Sequence, residues 1–213
     1  MTTADDLNDP AYHIPPTADG MRVGLFGGSF NPPHEGHLRV SEHVLKRARL
    51  DRIWWLVTPG NPLKDHGELA PLDRRIALCR GIARHPRIVV TALEARYSVR
   101  YTADTLAILK RLRPRVRFVW IMGADNLASF HHWQDWRRIA AMMPMIVVDR
   151  PGSTLSFLSA RAAIALARWR VSEDAAAVVA DLTPPAWTFL HGPRLALSST
   201  AIRAASRTAA TAR

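Results

Sequence analysis

The run Val116–Met122 (VRFVWIM) constrains the fold more than any other stretch of this chain. A strand covered on one face alternates apolar with polar residues. A strand buried on both faces reads instead as nearly continuous apolar sequence, and such strands belong to parallel sheets held between layers of helices. Other short β-branched or aromatic runs supply its neighbours: Arg22–Phe26 (RVGLF), Arg52–Thr58 (RIWWLVT), Arg87–Ala92 (RIVVTA), Met145–Val148 and Trp187–Leu190. Helical periods lie between them. Gly36–Arg49 sets Leu38, Ser41, Val44, Leu45 and Ala48 on one face, Leu72–Arg84 aligns Leu72, Ile76, Cys79 and Ala83, and Thr102–Leu112 turns Leu106, Leu109 and Leu112 inward. Shorter helical patterns follow at Gln134–Met142 and Ser199–Ala205, and alanine-rich helical sequence fills Ser156–Leu182. Strands alternating with helices predict an α/β fold, a doubly wound parallel sheet with right-handed crossovers and helices on both faces. Ligands of such sheets bind beyond the carboxyl ends of the strands, near the point where the winding reverses.

With 213 residues, 48% of them hydrophobic, the chain suits one domain with a sizeable core. Residues 1–20 are polar, with Pro10, Pro15 and Pro16 and no apolar period, so a flexible extension is expected there. The globular domain is expected over 21–205, with a frayed tail at 206–213. No apolar run of about 18 residues is present, and the N-terminus lacks the basic and apolar parts of a signal peptide. No membrane association and a cytoplasmic location are therefore expected. The one cysteine, Cys79, falls on an apolar helical face and reads as a small core residue. The formal net charge of +11 comes almost wholly from arginine, because Lys46, Lys64 and Lys110 are the only lysines. Such a charge suits nucleic acid or an anionic small substrate. Scattered arginine beside abundant alanine also follows from GC-rich codon usage, so the charge alone chooses nothing.

The chemistry concentrates where the first strand ends, in Gly27-Gly28-Ser29-Phe30-Asn31-Pro32-Pro33-His34-Glu35-Gly36-His37. Two glycines allow a phosphate to approach the backbone, and the helix start behind them offers unpaired N–H groups and a positive dipole end. His34 and His37 can each present an N–H to phosphate oxygens. A zinc site is a poor fit, since HExGH is not HExxH and no cysteines complete it. Neither a Walker A loop nor a GxGxxG fingerprint is present. A second candidate anion site is Leu197-Ser198-Ser199-Thr200-Ala201-Ile202-Arg203, where hydroxyls before a helix read as an N-cap or as phosphate ligands backed by Arg203.

The first string resembles the GG(T/S)F(D/N)PxHxGH signature of the nucleotidyltransferase superfamily, and the second its (I/L)SSTxIR motif. Three further segments resemble those of the bacterial nicotinate mononucleotide adenylyltransferases: Pro59–Lys64 (PGNPLK), Tyr101–Leu106 (YTADTL), and Gly123–Leu127 (GADNL) followed by Trp133. Asp149–Gly152 (DRPG) resembles the RPG after their fifth strand. Without the resemblance, Trp133 would read as core, Asp125 as a cap and RPG as a turn. The resemblance covers roughly residues 22–205 and implies a Rossmann-like fold. It also implies ATP binding by Gly27, Gly28, Ser29, Phe30, His34, His37, Ser199, Thr200 and Arg203, with His34, His37 and Arg203 catalytic. It implies mononucleotide binding by Asn31, Lys64, Tyr101, Thr102, Asp125, Trp133 and Arg150, with Trp133 stacked on the pyridine ring. The chain departs from the pattern at Ser29 and Asn31, which replace Thr and Asp, and at Arg100, where a serine usually precedes Tyr-Thr.

The implied reaction joins ATP to nicotinate mononucleotide and releases pyrophosphate, with Mg²⁺ bridging ATP phosphates. The acceptor phosphate is mostly dianionic at neutral pH, so no general base is needed. Positioning and electrostatics carry such chemistry. Phosphopantetheine or nicotinamide mononucleotide are the rival acceptors. A nucleic-acid-binding protein is the rival class, but no RNP, zinc-finger or helix-turn-helix pattern accompanies the charge.

Overall fold

The computed structural model describes residues 9–60, 69–149 and 159–192. Seven strands form one sheet: β1 (Arg22–Gly28), β2 (Arg52–Val57), β3 (Ile88–Thr91), β4 (Arg117–Gly123), β5 (Met145–Val148), β6 (Arg170–Val171) and β7 (Trp187–Leu190). Their order is β3-β2-β1-β4-β5-β7-β6, and every pairing is parallel. The chain winds outward from β1 to β3, returns to lay β4 beside β1, and then winds the other way. The winding therefore reverses between β1 and β4, where the sheet opens a crevice for a ligand. β4 lies fourth of the seven, and Phe118 to Gly123 are all buried, as its apolar run predicts.

The two-residue period of the strands sorts the core onto two faces. Trp54, Leu56, Phe118, Trp120 and Met122 face α3 (Leu93–Arg96), α4 (Thr102–Leu112), α5 (Ala124–Ser129), α6 (Trp136–Met142) and α7 (Arg161–Ala165). Ile53, Trp55, Val57, Val119 and Ile121 face α1 (Glu35–Arg47), α2 (Leu72–Ile82) and a 3₁₀ helix at Glu173–Asp181. Val44, Leu45 and Ala48 of the expected α1 face are buried, as is Cys79 on α2. Burial pushes the Cys79 thiol up to about 12, so it packs as an inert apolar group. No helix among the described residues is long and apolar enough to cross a membrane.

Two expectations meet a different arrangement. Residues 9–20 are not a loose extension. Asp9 caps a 3₁₀ turn, Pro10–Tyr12, accepting the Ala11 N–H at 2.7 Å, and pairs with Arg80 at 2.6 Å. The Ala11 carbonyl accepts from Ala92 N–H at 2.7 Å and Thr91 Oγ1 at 2.9 Å, and Ala11 and Tyr12 are buried against the core. The polar average of the segment hides two residues that cover the edge strand β3.

The alanine-rich stretch expected as helix is broken into α7, a 3₁₀ turn at Ala167–Trp169, strand β6 and the 3₁₀ helix at Glu173–Asp181. Helix propensity is a weak preference that tertiary partners override. Here the Trp187 indole N–H donates to the Leu166 carbonyl at 2.8 Å where α7 stops. Arg170 and Val171 then pair along β7.

Candidate active site

The residues between β1 and α1 are held in a shape that few sequences tolerate. A Cβ on Gly27 would lie 2.5 Å from the Trp120 ring, so only glycine lets β4's indole pass beside it. Phe30 takes a left-handed φ of 46°, which costs a bulky residue about 1–3 kcal/mol. Its ring is 2% exposed, stacked on Trp55 at 5.1 Å and edge-on to Phe26 at 6.0 Å, and that burial offsets the strain.

Two histidines then start α1. His34 is the N-cap, and its Nδ1 accepts the Gly36 N–H at 3.1 Å. His37, three residues on, returns the favour: its Nδ1 accepts the His34 N–H at 3.2 Å. A backbone N–H can only donate, so both Nδ1 atoms are acceptors and each neutral ring carries its hydrogen on Nε2. The helix start thus selects one tautomer twice and makes two Nε2–H donors, on rings 3.9 Å apart and each less than a tenth exposed. A pair of fixed donors at a helix N-terminus is suited to an oxyanion.

Beside this loop lies a cavity of about 320 Å³, within the range of small-molecule sites. It sits at the carboxyl ends of β1, β2 and β4, at the reversal of winding. Gly27, Gly28 and Ser29 form one side, and Leu56 and Thr58 the end of β2. Glu94, Arg100, Tyr101 and Thr102 close it from α3 and the start of α4, while Trp120, Asn126, His132, Trp133 and Gln134 form the far side. Trp133 is half-buried and stands edge-on to Trp120 at 6.2 Å and to Phe130 at 5.4 Å. Burial pushes the Glu94 carboxyl above its ordinary value, and hydrogen bonds from Thr105, at 2.8 Å, and Thr58 pull it part of the way back.

Residues 25–205 match the cytidylyltransferase-like family. The chain is 61% identical over 183 residues to a Brucella abortus (strain 2308) protein named a probable nicotinate-nucleotide adenylyltransferase, covering 86% of this chain and 94% of that one. A Rhizobium meliloti (strain 1021) protein of the same name is 60% identical over 185 residues, with 87% and 98% covered. This chain belongs to the nicotinate-nucleotide adenylyltransferase family. Its fold is similar to that of the Plasmodium falciparum nicotinic acid mononucleotide adenylyltransferase complexed with NaAD, at a TM-score of 0.66 and 18% identity over 86% of this chain and 83% of that one.

Measured against the family pattern, the cavity gathers Gly27, Gly28, Ser29, Tyr101, Thr102 and Trp133 from three separate stretches of sequence. Phe30 lies beneath the loop as core, and His34 and His37 stand beside it at the head of α1. Asn31 reaches sideways, its Oδ1 accepting the Ala70 N–H at 3.3 Å. Asp125 is exposed in the first turn of α5, and the next residue, Asn126, lines the cavity. Lys64, Arg150, Ser199, Thr200 and Arg203 lie outside the described residues.

Several lining residues were not expected from sequence: Thr58, Glu94, Trp120, Asn126, His132 and Gln134. Arg75 was missed as well, although a signal for it exists. It is 1% exposed and shares the apolar face of α2 with Leu72, Ile76 and Cys79, where a charge calls for explanation.

Proposed function

We propose that this chain transfers the adenylyl group of ATP to the phosphate of nicotinate mononucleotide, giving nicotinate adenine dinucleotide and pyrophosphate in NAD biosynthesis. The observation that carries this reading is the joining of two features at one sheet reversal: a doubly capped His34–His37 donor pair and a cavity walled by Trp133 and the start of α4. In this reading an oxygen of the acceptor phosphate attacks the α-phosphorus of ATP. The new P–O bond forms in line with the breaking bond to the β-phosphate oxygen, and pyrophosphate leaves with that electron pair. No covalent enzyme intermediate is involved.

Each group has work to do in that displacement. The Nε2–H atoms of His34 and His37 donate to the oxygens on which charge builds, and Gly28 and Ser29 allow the phosphates close to the backbone. The N-terminal turn of α4, at Tyr101 and Thr102, offers N–H groups to the ring carboxylate, and Trp133 stacks on the pyridine. Lys64, Asp125 and Arg150 are assigned to the mononucleotide, and Ser199, Thr200 and Arg203 to the ATP phosphates, on the motif resemblance alone. ATP enters as its Mg²⁺ complex, in which the ion neutralises phosphate charge. Mg²⁺ keeps most of its waters and needs few protein ligands, and among the described residues Glu94, the cavity's carboxylate, is already engaged by Thr105 and Thr58.

Pyrophosphate release measured with ATP and Mg²⁺ tests the reading, with nicotinate mononucleotide, nicotinamide mononucleotide and phosphopantetheine as parallel acceptors. Turnover is expected to be fastest with nicotinate mononucleotide. Faster turnover with either of the others would replace the acceptor, and no turnover with any would remove the activity.

A further inference from the structure

Arg75 is only 1% exposed, and among the described residues what it holds is backbone, not a carboxylate. Its Nε donates to the Ala70 carbonyl at 2.8 Å. Nη1 donates to the carbonyls of Ser29 at 2.8 Å and Thr58 at 2.7 Å, and Nη2 to that of Pro59 at 3.2 Å. One planar fork therefore ties the loop after β1, the loop after β2 and the approach to α2. Two of the four residues it holds, Ser29 and Thr58, line the cavity.

A buried guanidinium without a carboxylate partner is costly for stability alone. Among the described residues no carboxylate lies within ion-pair distance of it; carbonyl dipoles meet its donors, and Asp73 acts on its charge only through space. Burial lowers its affinity for the proton, yet an arginine remains charged. The expense has a local result. A trans peptide unit is planar, with its C=O and N–H pointing in opposite directions. Drawing the Ser29 carbonyl back onto Arg75 therefore aims the N–H of Phe30 away from Arg75. That orientation goes with the left-handed φ of 46° at Phe30, which a bulky residue adopts only when its surroundings insist. Trp55 holds the ring and Arg75 holds the peptide.

We propose that Arg75 is a positioning residue that clamps the Ser29–Phe30 peptide so that the Phe30 N–H is presented to a phosphate oxygen of the bound nucleotide. This rests on the adenylyl transfer proposed above. The clamp needs the fork, because a single ammonium cannot span four carbonyls at fixed angles. Misplacing a donor by about 1 Å costs on the order of 10²-fold in rate.

The test compares wild type with Arg75→Lys and Arg75→Met, each assayed well below its own melting temperature. Both variants are expected to lose about 10²-fold in kcat, with KM for nicotinate mononucleotide changed less than about threefold, because the aromatic side of the cavity is untouched. Full kcat in the folded variants would overturn the proposal and leave Arg75 a stability residue. Rescue by Arg75→Lys would overturn it too, since charge and not the fork would then be what matters.

A second measurement needs no variant. In the ¹⁵N-labelled wild-type protein, a non-hydrolysable ATP analogue is expected to shift the Phe30 amide resonance and slow its exchange, while the Arg75 Nε–H stays protected throughout. An unmoved Phe30 amide would overturn the proposal. Wild type without turnover would instead sink the adenylyl-transfer reading, so the two failures are distinct.

Discussion

The two sides of the cavity are built by different means. On the β1–β2 side, polar groups hold backbone: Arg75 grips four carbonyls, Glu94 takes the Thr105 hydroxyl, and each histidine ring caps a backbone N–H. On the β4–α6 side, rings hold rings: Trp133 leans on Trp120 and Phe130, and Phe130 on Trp136 at 5.7 Å, all near edge-on. Hydrogen bonds are directional and expensive to leave unmade, whereas aromatic packing is only loosely directional and roughly proportional to area. The polar side should therefore fail in rate when altered, with modest loss of stability. The aromatic side should fail in stability and in affinity for the flat acceptor, with chemistry spared.

The largest effect expected is on the aromatic side. Phe130 is fully buried, and Phe130→Ala removes the ring that supports Trp133 and Trp136. A loss of about 3–5 kcal/mol, or on the order of 10 °C in melting temperature, is expected. Calorimetry checks it, and a melting temperature within a degree of wild type would undo the contrast. Next comes His37→Ala on the polar side. It deletes one fixed Nε2–H donor and one helix cap, so kcat should fall by about 10²–10³, while the cap costs only about 1 kcal/mol of stability. If His37→Ala kept its rate and lost mainly stability, the histidine pair would be a cap and nothing more.

What the sequence made legible follows the same division. The run Val116–Met122 announced a strand buried on both faces because a period is written in contiguous residues, and β4 lies mid-sheet as expected. The string from Gly27 to His37 was equally legible, since its chemistry depends on neighbours in the chain. Arg75 was not read as part of the site. Its acceptors Ser29 and Thr58 lie 46 and 17 positions away, and they are carbonyls, which every residue carries. Glu94 likewise gains meaning only when folding brings Thr58 and Thr105 to it. Trp120 belongs to the apolar run of β4 and is also cavity wall. Asn126 lines the cavity beside the motif residue Asp125, and a one-residue step on a helix turns a side chain by about 100°, which a linear motif does not show. Residues 9–20 and the alanine-rich stretch differ from their composition for a related reason, as an average over a window is blind to single anchoring side chains such as Tyr12 and Trp187.

Trp133 sharpens the comparison at a smaller scale. Half-buried and near-perpendicular to Trp120 and Phe130, it lines the cavity where a flat ligand would stack. Stacking is worth about 0.5–1.5 kcal/mol, so Trp133→Ala should raise KM for nicotinate mononucleotide by about 3- to 10-fold and leave kcat within about twofold. Trp133→Phe should recover most of that, because a ring of similar breadth suffices. Steady-state kinetics with each nucleotide varied in turn separates the terms. A fall in kcat with KM unchanged would place Trp133 with the polar side.

The smallest effect belongs to Glu94, and its sign follows from where the proton sits. Burial raises the folded-state affinity of its carboxyl for a proton above that of the unfolded chain. Below the ordinary glutamate range both states hold the proton and no penalty arises. As pH rises through that range the unfolded chain ionises first, so stability is lost until the folded carboxyl ionises too, above which the penalty is constant. Glu94→Gln keeps an oxygen to accept from Thr105 and has no proton to lose. Its melting temperature should therefore gain on wild type as pH rises from acid to neutral, whereas Trp133→Phe, which changes no ionisable group, should run parallel to wild type. Parallel curves for Glu94→Gln would mean that Thr105 and Thr58 fully offset the cost of burying the charge. The buried carboxyl of Glu94 would then add no pH dependence to the polar side of the cavity.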